Sequence, residues 1–185
     1  MKQADRMILG IDPGTLVMGY GLLHLQNTVL QVPALGVLKL EKYDDHALRL
    51  KKIFERVCSL IDEFKPDELA IEAPFFGKNV QSMLKLGRAQ GVAIAAALSR
   101  NLPVVEYSPK KIKMSITGNG NASKEQVAAM LRQTLHLKEA QDYLDATDAL
   151  GAALCHYYQK GKTTSSGKSY SGWKAFVSDN PGRKG

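Results

Sequence analysis

Residues 7–15 read MILGIDPGT, a mostly apolar run that ends in an acid and is followed by Pro-Gly-Thr. The apolar run predicts a buried β-strand over 7–12, and Pro13-Gly14-Thr15 predicts a turn after it. Asp12 therefore ends a buried strand. Open α/β sheets hold their ligand crevice at the carboxyl ends of their strands, so we expect Asp12 to face such a crevice.

The segments that follow predict one sheet covered by helices. We expect strands over 19–26 and 29–40, which form an antiparallel meander with the first strand, and further strands over 68–72 and 103–107. Helices are predicted from Asp44 or Asp45 to about 64, and over 79–100, 108–117, 123–137 and 142–159. Ser123 and Gln126 have the spacing of a capping box. The order predicts an α/β fold, with a mixed five-stranded sheet flanked by helices.

Composition divides the chain into a domain and a tail. The 185 residues include 25 Lys and Arg against 18 Asp and Glu, a net charge of +7. From residue 161 the sequence becomes rich in Gly, Ser, Thr and Lys, so we interpret 1–160 as one domain and 161–185 as a flexible basic tail. The tail carries 5 − 1 = +4 and the domain +3. A nucleic-acid partner must therefore be argued from local basic clusters.

The sequence indicates a cytosolic protein with no membrane partner. Neither a signal-peptide run at the N-terminus nor an apolar run of spanning length is found, and the spanning length is roughly 18 residues. Cys58 and Cys155 both lie in apolar helical patterns, and we expect them to be reduced and buried.

Four carboxylates stand in apolar surroundings: Asp12, Glu72, Asp145 and Asp148. Glu72 ends the predicted strand 68–72, while Asp145 and Asp148 are three residues apart and share one face of a helix. If the strands of Asp12 and Glu72 are parallel neighbours, the acids meet at one edge of the sheet. Buried carboxylates repel one another, and a bound cation offsets that repulsion.

The ligand atoms of the four acids indicate which cation they would bind. Ligands that are all oxygens suit Mg²⁺, with Mn²⁺ as a substitute, and no His or Cys spacing resembles a zinc site. Two ions roughly 4 Å apart would activate a water and stabilise the leaving oxygen of a phosphodiester. Each acid alone is also typical of a turn, a solvated strand end or a helix surface, so the hypothesis depends on their convergence.

Several motifs in order resemble a known family. They are Ile11-Asp12-Pro13-Gly14-Thr15, Gly19-Tyr20-Gly21, Ala70-Ile71-Glu72, Phe75-Phe76, Lys78-Asn79, the run from Leu84 to Gly91, and Asp145-Ala-Thr-Asp148-Ala-Leu. This ordered set is similar to the RuvC family of Holliday-junction resolvases, and it is colinear from about 7 to 159. The pair Ala73-Pro74 departs from the family, which puts the path of the following loop in question.

The resemblance implies a ribonuclease-H-like fold, a homodimer, and magnesium-dependent paired nicks in a four-way DNA junction, with a branch-migration motor complex as partner. It implies that Asp12, Glu72, Asp145 and Asp148 are the catalytic, metal-binding acids. Phe75 matches an aromatic that enters the junction, and we include Phe76 with it. Without the family, both would be read as core.

Basic residues supply candidates for DNA contacts. Between Tyr107 and Lys124 there are four lysines and no acid, which is also the pattern of a solvated helix face. Lys113 and Lys124 match family positions near the scissile phosphate. Further candidates for contacts with the DNA backbone are Lys78, Lys85, Arg88, Lys110 and Lys111.

Other functions fit parts of the sequence. Asp-x-Gly-Thr after a strand resembles the first phosphate loop of actin-like ATPases, but the chain is too short for their second lobe. A ribonuclease H acting on hybrids and a branched-DNA binder without cleavage remain open. The helix 79–100, with Ala93, Ala95, Ala96 and Ala97, is either a dimer surface or a helix buried inside one domain.

Overall fold

The computed structural model describes residues 5–74, 79–137 and 144–161. Its strands are β1 Arg6–Asp12, β2 Val17–Gln26, β3 Val29–Gln31, β4 Leu35–Lys39, β5 Glu68–Glu72 and β6 Val104–Tyr107. Its helices are α1 His46–Phe64, α2 Val80–Leu98, α3 Pro109–Thr117, α4 Lys124–Leu135 and α5 Leu144–Gly161. The predicted tail beyond residue 161 lies outside the described residues, so the division at 160 stays a prediction.

All six strands form one mixed sheet. The strand order is β3-β2-β1-β5-β6, and β4 also pairs with β2. β2 is antiparallel to β1, β3 and β4, whereas β1, β5 and β6 run parallel. The α/β class and the antiparallel start are therefore confirmed.

The predicted strand over 29–40 is two strands, which makes six where five were expected. β3 pairs with one end of β2 and β4 with the other. Pro33 lies between them and has no N–H to offer a ladder, so the pairing is interrupted there. Beside it, the N–H of Leu22 donates to the carbonyl of Ala34 at 2.8 Å.

The two faces of the sheet have separate cores. Leu9 and Ile11 of β1 pack with α1 and α2 on one face, while Ile8 packs with α3, α4 and α5 on the other. Side chains alternate along a strand, so Asp12 and Glu72 share the α5 face with Ile8 and Ala70. The acids and α5 are thus on the same side of the sheet.

Two glycines allow α5 to lie directly on the strands. A Cβ on Gly10 would stand 2.0 Å from the carbonyl oxygen of Ala149, and one on Gly19 would stand 1.9 Å from that of Asp145. Any side chain there would push the helix away. The alanines of α5 that face the sheet are fully buried: Ala146, Ala149, Ala152 and Ala153.

Helix α2 is buried on one side and open on the other. Ala93, Ala96 and Ala97 are fully buried against the core, whereas Ala95 is exposed. Leu84 and Leu98 are 53% and 58% exposed on the outer side. Within the described residues, only one side of this apolar helix is therefore buried, and the expectation of a dimer surface stays open for the other side.

Local predictions at the helix ends hold. Asp45 accepts from the N–H groups of Ala47 and Leu48 to cap α1, and Ser123 with Gln126 forms the capping box of α4. Cys58 and Cys155 are free and buried, as predicted. Across the three described ranges, none of the helices combines the length and the hydropathy that a bilayer-spanning segment needs.

Candidate active site

The first two acids lie side by side at the ends of neighbouring strands. β1 and β5 are parallel, and Ile11 pairs with Ile71, so Asp12 and Glu72 follow at the same edge of the sheet. Both carboxylates are half-buried. The predicted juxtaposition of these two acids is therefore observed.

The other two acids come from the first two turns of α5. Asp145 and Asp148 are half-buried, and the close packing on Gly10 and Gly19 brings this end of α5 to the edge where β1 ends. One carboxylate oxygen from each of Asp12, Asp145 and Asp148 lies within 4.8 Å of the others. Three acids from two elements thus meet at one spot, with Glu72 next to them.

Burial and the charges of neighbouring acids raise the pKa values of two carboxyls, those of Asp12 and Glu72. Burial, then the charges of Asp148 and Asp145, raise the pKa of Asp12 to about 7 against a partly opposing Lys124. Burial, then Asp12 and Asp148, raise the pKa of Glu72 to about 8. The site therefore has an excess of negative charge that the nearby lysines only partly offset.

Among the described residues, Lys124 is a cation that contacts the cluster directly. Its Nζ donates to Oδ2 of Asp148 at 2.6 Å, and this bond raises the pKa of Lys124. Lys124 is the first residue of α4, where the helix dipole disfavours a positive charge. The pairing with the acid explains a lysine at this otherwise unfavourable position.

A small cleft joins the acids to a second lysine. It has a volume of about 40 Å³, and its lining includes Glu72, Asp148, Lys113, Lys124 and Ile112. The positive charge of Lys113 partly opposes the rise in the pKa of Glu72 that burial causes. Both lysines that sequence reasoning placed near the scissile phosphate therefore line the same cleft as two of the acids.

The donor set suits a hard divalent cation. Carboxylate oxygens that converge within a few ångströms are what such an ion would bind. The raised pKa values of Asp12 and Glu72 indicate a cost of ionisation that a bound cation would offset. Asp12, Asp145 and Asp148 are the residues that could hold it, with Glu72 adjoining.

The remaining predicted DNA contacts lie elsewhere. Lys110 and Lys111 line a separate groove of α3 with residues of α5, away from the cleft of Lys113. Lys85 and Arg88 are exposed on α2, which covers the opposite face of the sheet. The other three candidates lie outside the described residues: Phe75, Phe76 and Lys78.

Sequence reasoning missed a buried polar network on the α5 side of the sheet. The hydroxyl of Tyr107 lies 2.7 Å from Nδ1 of His156, and Nε2 of the same imidazole contacts Glu68, which also pairs with Arg6. His156 is 1% exposed, so it ties α5 to β5 and β6. The available signal was a pair of opposite charges, with Arg6 just before the predicted strand 7–12 and Glu68 at the start of the predicted strand 68–72.

Comparison with known proteins identifies a matching family and closely similar sequences. The family described as crossover junction endodeoxyribonuclease RuvC matches residues 8–156. The RuvC endonuclease of Cytophaga hutchinsonii is 63% identical over 180 residues, covering 97% of this chain and 88% of that protein. The one from Christiangramia forsetii is 62% identical over 179 residues, covering 97% and 93%. Since about six residues at most lie outside these alignments, both extend well beyond residue 161.

The fold agrees with a solved relative. Thermus thermophilus RuvC in complex with Holliday junction substrate superposes with a TM-score of 0.79 at 32% identity, covering 86% of this chain and 97% of that one. The ribonuclease-H-like expectation is thereby confirmed. With the family matching 149 of the 185 residues and relatives above 60% identity along nearly the whole length, the chain belongs to the RuvC family of crossover junction endodeoxyribonucleases.

Proposed function

We propose that this chain resolves four-way DNA junctions during recombination and repair by making paired, symmetric, metal-dependent hydrolytic nicks. The observation that carries the proposal is the convergence of Asp12, Asp145 and Asp148 within 4.8 Å beside Glu72, in a member of this family. The Thermus relative, described in complex with a Holliday junction, supports the choice of substrate.

The four acids are the proposed catalytic residues and metal ligands. Mg²⁺ is the proposed ion, two per site, and Mn²⁺ is the proposed substitute, because oxygen ligands with full negative charge favour hard cations. When bound, the metal supplies Lewis-acid stabilisation of charge on a phosphodiester and lowers the pKa of a water. The raised pKa values of Asp12 and Glu72 support this assignment, since the metal-free site resists full ionisation.

Lys113 and Lys124 have a separate role in the proposal. Both line the cleft that reaches Glu72 and Asp148, so a phosphate that entered it would meet their ammonium groups. They hold the scissile phosphate beside the acids and offset the charge that develops on its oxygens. The 2.6 Å bond to Asp148 keeps Lys124 at the cleft before substrate arrives.

The other DNA contacts follow the family positions. We assign Phe75 and Phe76 to the disturbance of base stacking at the junction, and the remaining basic residues to phosphate contacts: Lys78, Lys85, Arg88, Lys110 and Lys111. The nuclease domain is 1–160, with 161–185 as an appended basic tail. A branch-migration motor complex is the proposed partner on the DNA.

Paired nicks require two active sites, and α2 offers the surface that joins two chains. Its outer face exposes Val80, Leu84, Ala95 and Leu98, and a Cβ on Gly87 or Gly91 would meet no atom within 4 Å. An apolar face with open space above its glycines suits close packing of a second helix. We assign this face to the homodimer interface. Ala95 is the exposed alanine on it, whereas Ala93, Ala96 and Ala97 are buried.

Cleavage of a mobile four-way junction, with and without Mg²⁺ and with product ends mapped, tests the function. We expect symmetric nicks that need the ion, and their loss in Asp145→Asn but not in Asp44→Asn, which changes an exposed acid before α1. Cleavage of RNA–DNA hybrids in preference to junctions would indicate a ribonuclease H. Binding without cleavage by the wild-type protein would indicate a branched-DNA binding module.

Sedimentation tests the dimer separately. Leu84→Glu with Leu98→Glu should yield monomers that bind junctions more weakly and lose the symmetry of the nicks, because burying two charges in an apolar interface is costly. Met130→Glu, on α4 and 40% exposed, is the matched control and should remain dimeric. A dimer that survives the double change would remove α2 from the interface.

A further inference from the structure

A large groove lies on the side of α3 that faces away from the acids. It runs between α3 and the C-terminal end of α5, with a volume of about 920 Å³. We call it the α3–α5 groove and define it by Lys110, Lys111, Met114, Ser115, Tyr157 and Tyr158. The catalytic cleft uses other residues of α3, Ile112 and Lys113, so the two sites are separate.

The lining of the groove suits aromatic side chains. Tyr157 and Tyr158 stand with their ring centroids 5.6 Å apart at a tilt of 50°, and Met114 is 50% exposed beside them. Exposed Lys110 and Lys111 stand at the rim. Thioethers and tilted rings pack well against further rings, and ammonium groups attract ring faces.

Hydrogen bonds that include two lining residues, Ser115 and Gln159, join the two helices of the groove. The amide of Gln159 donates to Oγ of Ser115 at 3.3 Å, and the same hydroxyl lies 3.2 Å from Sγ of Cys155. The shape is therefore formed in advance of any occupant, which lowers the entropic cost of filling it.

One segment of the chain has the matching chemistry and begins at the groove. α5 ends at Gly161, only three residues after Tyr158, and 24 residues follow. Among them, Tyr170, Trp173 and Phe176 recur every third residue. The stretch 169–179 holds one lysine and one aspartate, Lys174 and Asp179, so its net charge is zero although the tail as a whole carries +4.

We propose that the α3–α5 groove is the docking site of the chain's own C-terminal segment 170–176, with Trp173 as its anchor. The nine residues from 161 to 170 reach up to about 30 Å when extended, at roughly 3.3 Å per residue, which is enough to fold back along α3. The high-identity relatives align beyond residue 161, whereas the family match ends at 156, so the docked segment would be an addition to the common nuclease domain.

Trp173 provides the readout, because it is the single tryptophan of the chain. In the full-length protein we expect its fluorescence to be that of a shielded indole, with an emission maximum at short wavelength and weak quenching by iodide. Met114→Asn should shift the emission to longer wavelength and increase quenching. Met130→Asn makes the same change at an exposed methionine of α4 and should alter neither.

Tyr158→Ser is the second groove variant and should reproduce the shift, with circular dichroism confirming that each protein is folded. A wild-type emission equal to that of free tryptophan would overturn the proposal. So would an emission that neither groove variant changes. Groove variants that lose junction affinity while Trp173 stays solvent-exposed would instead assign the groove to DNA.

A mixing experiment distinguishes a chain's own segment from that of a second copy. Met114→Asn protein is combined with Trp173→Ala protein, so that every fluorescent segment belongs to a chain with a damaged groove. We expect the spectrum to remain the sum of the two components. Recovery of the short-wavelength emission would show that segments exchange between copies, and would overturn docking within one chain.

Discussion

The α-carbon of Gly19 lies so close to the carbonyl of Asp145 that a Cβ atom would stand 1.9 Å from the oxygen. Gly19→Ala must therefore push the first turn of α5 away from the sheet, and with it Asp145, one of the proposed metal ligands. We expect junction cleavage to fall by about a hundredfold, because displacements near 1 Å have effects of this size. Stability should fall by about 1–3 kcal/mol.

Ser59→Ala is the control for that variant, because Ser59 is an exposed residue of α1, on the face of the sheet away from the acids. A helical alanine is slightly favoured over serine, so stability should not fall and junction cleavage should stay at the wild-type rate. If Gly19→Ala cleaves junctions at the wild-type rate, the contact with α5 does not position the acids.

Neutralising Asp12 should separate stability from catalysis. Asp12→Asn removes a buried charge that Asp145 and Asp148 repel, so the metal-free protein should gain about 1–3 kcal/mol at pH 8. The same variant should lose junction cleavage and the stabilisation that Mg²⁺ gives the wild type. Thermal melts with and without the ion measure both effects, and a metal-free variant less stable than wild type would contradict the electrostatic account.

The metal-free protein should lose stability as pH rises. Asp12 and Glu72 have folded-state pKa values of about 7 and about 8, above their ordinary values of 3.8 and 4.5. Between about pH 4 and pH 8 the folded state therefore keeps protons that the unfolded state has released. The free energy of unfolding of the metal-free protein should fall across that window. Denaturant titrations in a chelator measure it.

Metal should reverse this trend, because binding displaces the same protons. Apparent affinity for Mg²⁺ should rise with pH until about 8, by up to about tenfold per pH unit for each proton displaced. Calorimetry in buffers of different ionisation enthalpy counts the protons. Binding that releases none at pH 6 would show that the two acids are already ionised there.

Lys124 should act through charge at the cleft. Lys124→Met removes the bond to Asp148 and should lower the rate of cleavage by about 10–100-fold, with Lys124→Arg recovering part of it. Lys51→Met removes the same charge from an exposed site on α1 and should leave the rate unchanged. Single-turnover rates at saturating junction make the comparison, and equal rates for the two methionine variants would exclude a local role.

The buried network under α5 should contribute to stability. Tyr107→Phe leaves Nδ1 of His156 without its hydroxyl partner, which should cost about 1–3 kcal/mol in unfolding free energy. Tyr43→Phe, on the other face of the sheet, should change little. Urea denaturation measures both, and an unchanged midpoint in Tyr107→Phe would mean that another group replaces the hydroxyl.

Sequence patterns predicted the relative positions of the acids well, because the periodicity of strands and helices determines where their side chains lie. An aspartate at the end of an apolar run and two aspartates three apart on a helix have positions that strand and helix geometry fix. The parallel pairing of β1 with β5 then brought Asp12 and Glu72 together as expected.

What the patterns could not predict depended on contacts between distant segments. The break at Pro33 could be predicted only by knowing that β2 pairs with two different strands along its length. The orientation of α3, with Lys113 towards the acids and Lys111 away from them, depends on how the helix docks. The His156 network joins four elements, β1, β5, β6 and α5, and the contact between Glu68 and His156 alone spans 88 residues.

Helix α3 has a consequence for chemical control of this protein. One side of it lines the catalytic cleft and the other lines the α3–α5 groove, so the two sites are separated by one helix, roughly 10 Å across. A small molecule bound in the groove would displace the backbone of α3, which carries Lys113. It would not compete with DNA for binding at the cleft. Inhibitors of that kind would not have to bind at the cleft lined by Glu72 and Asp148.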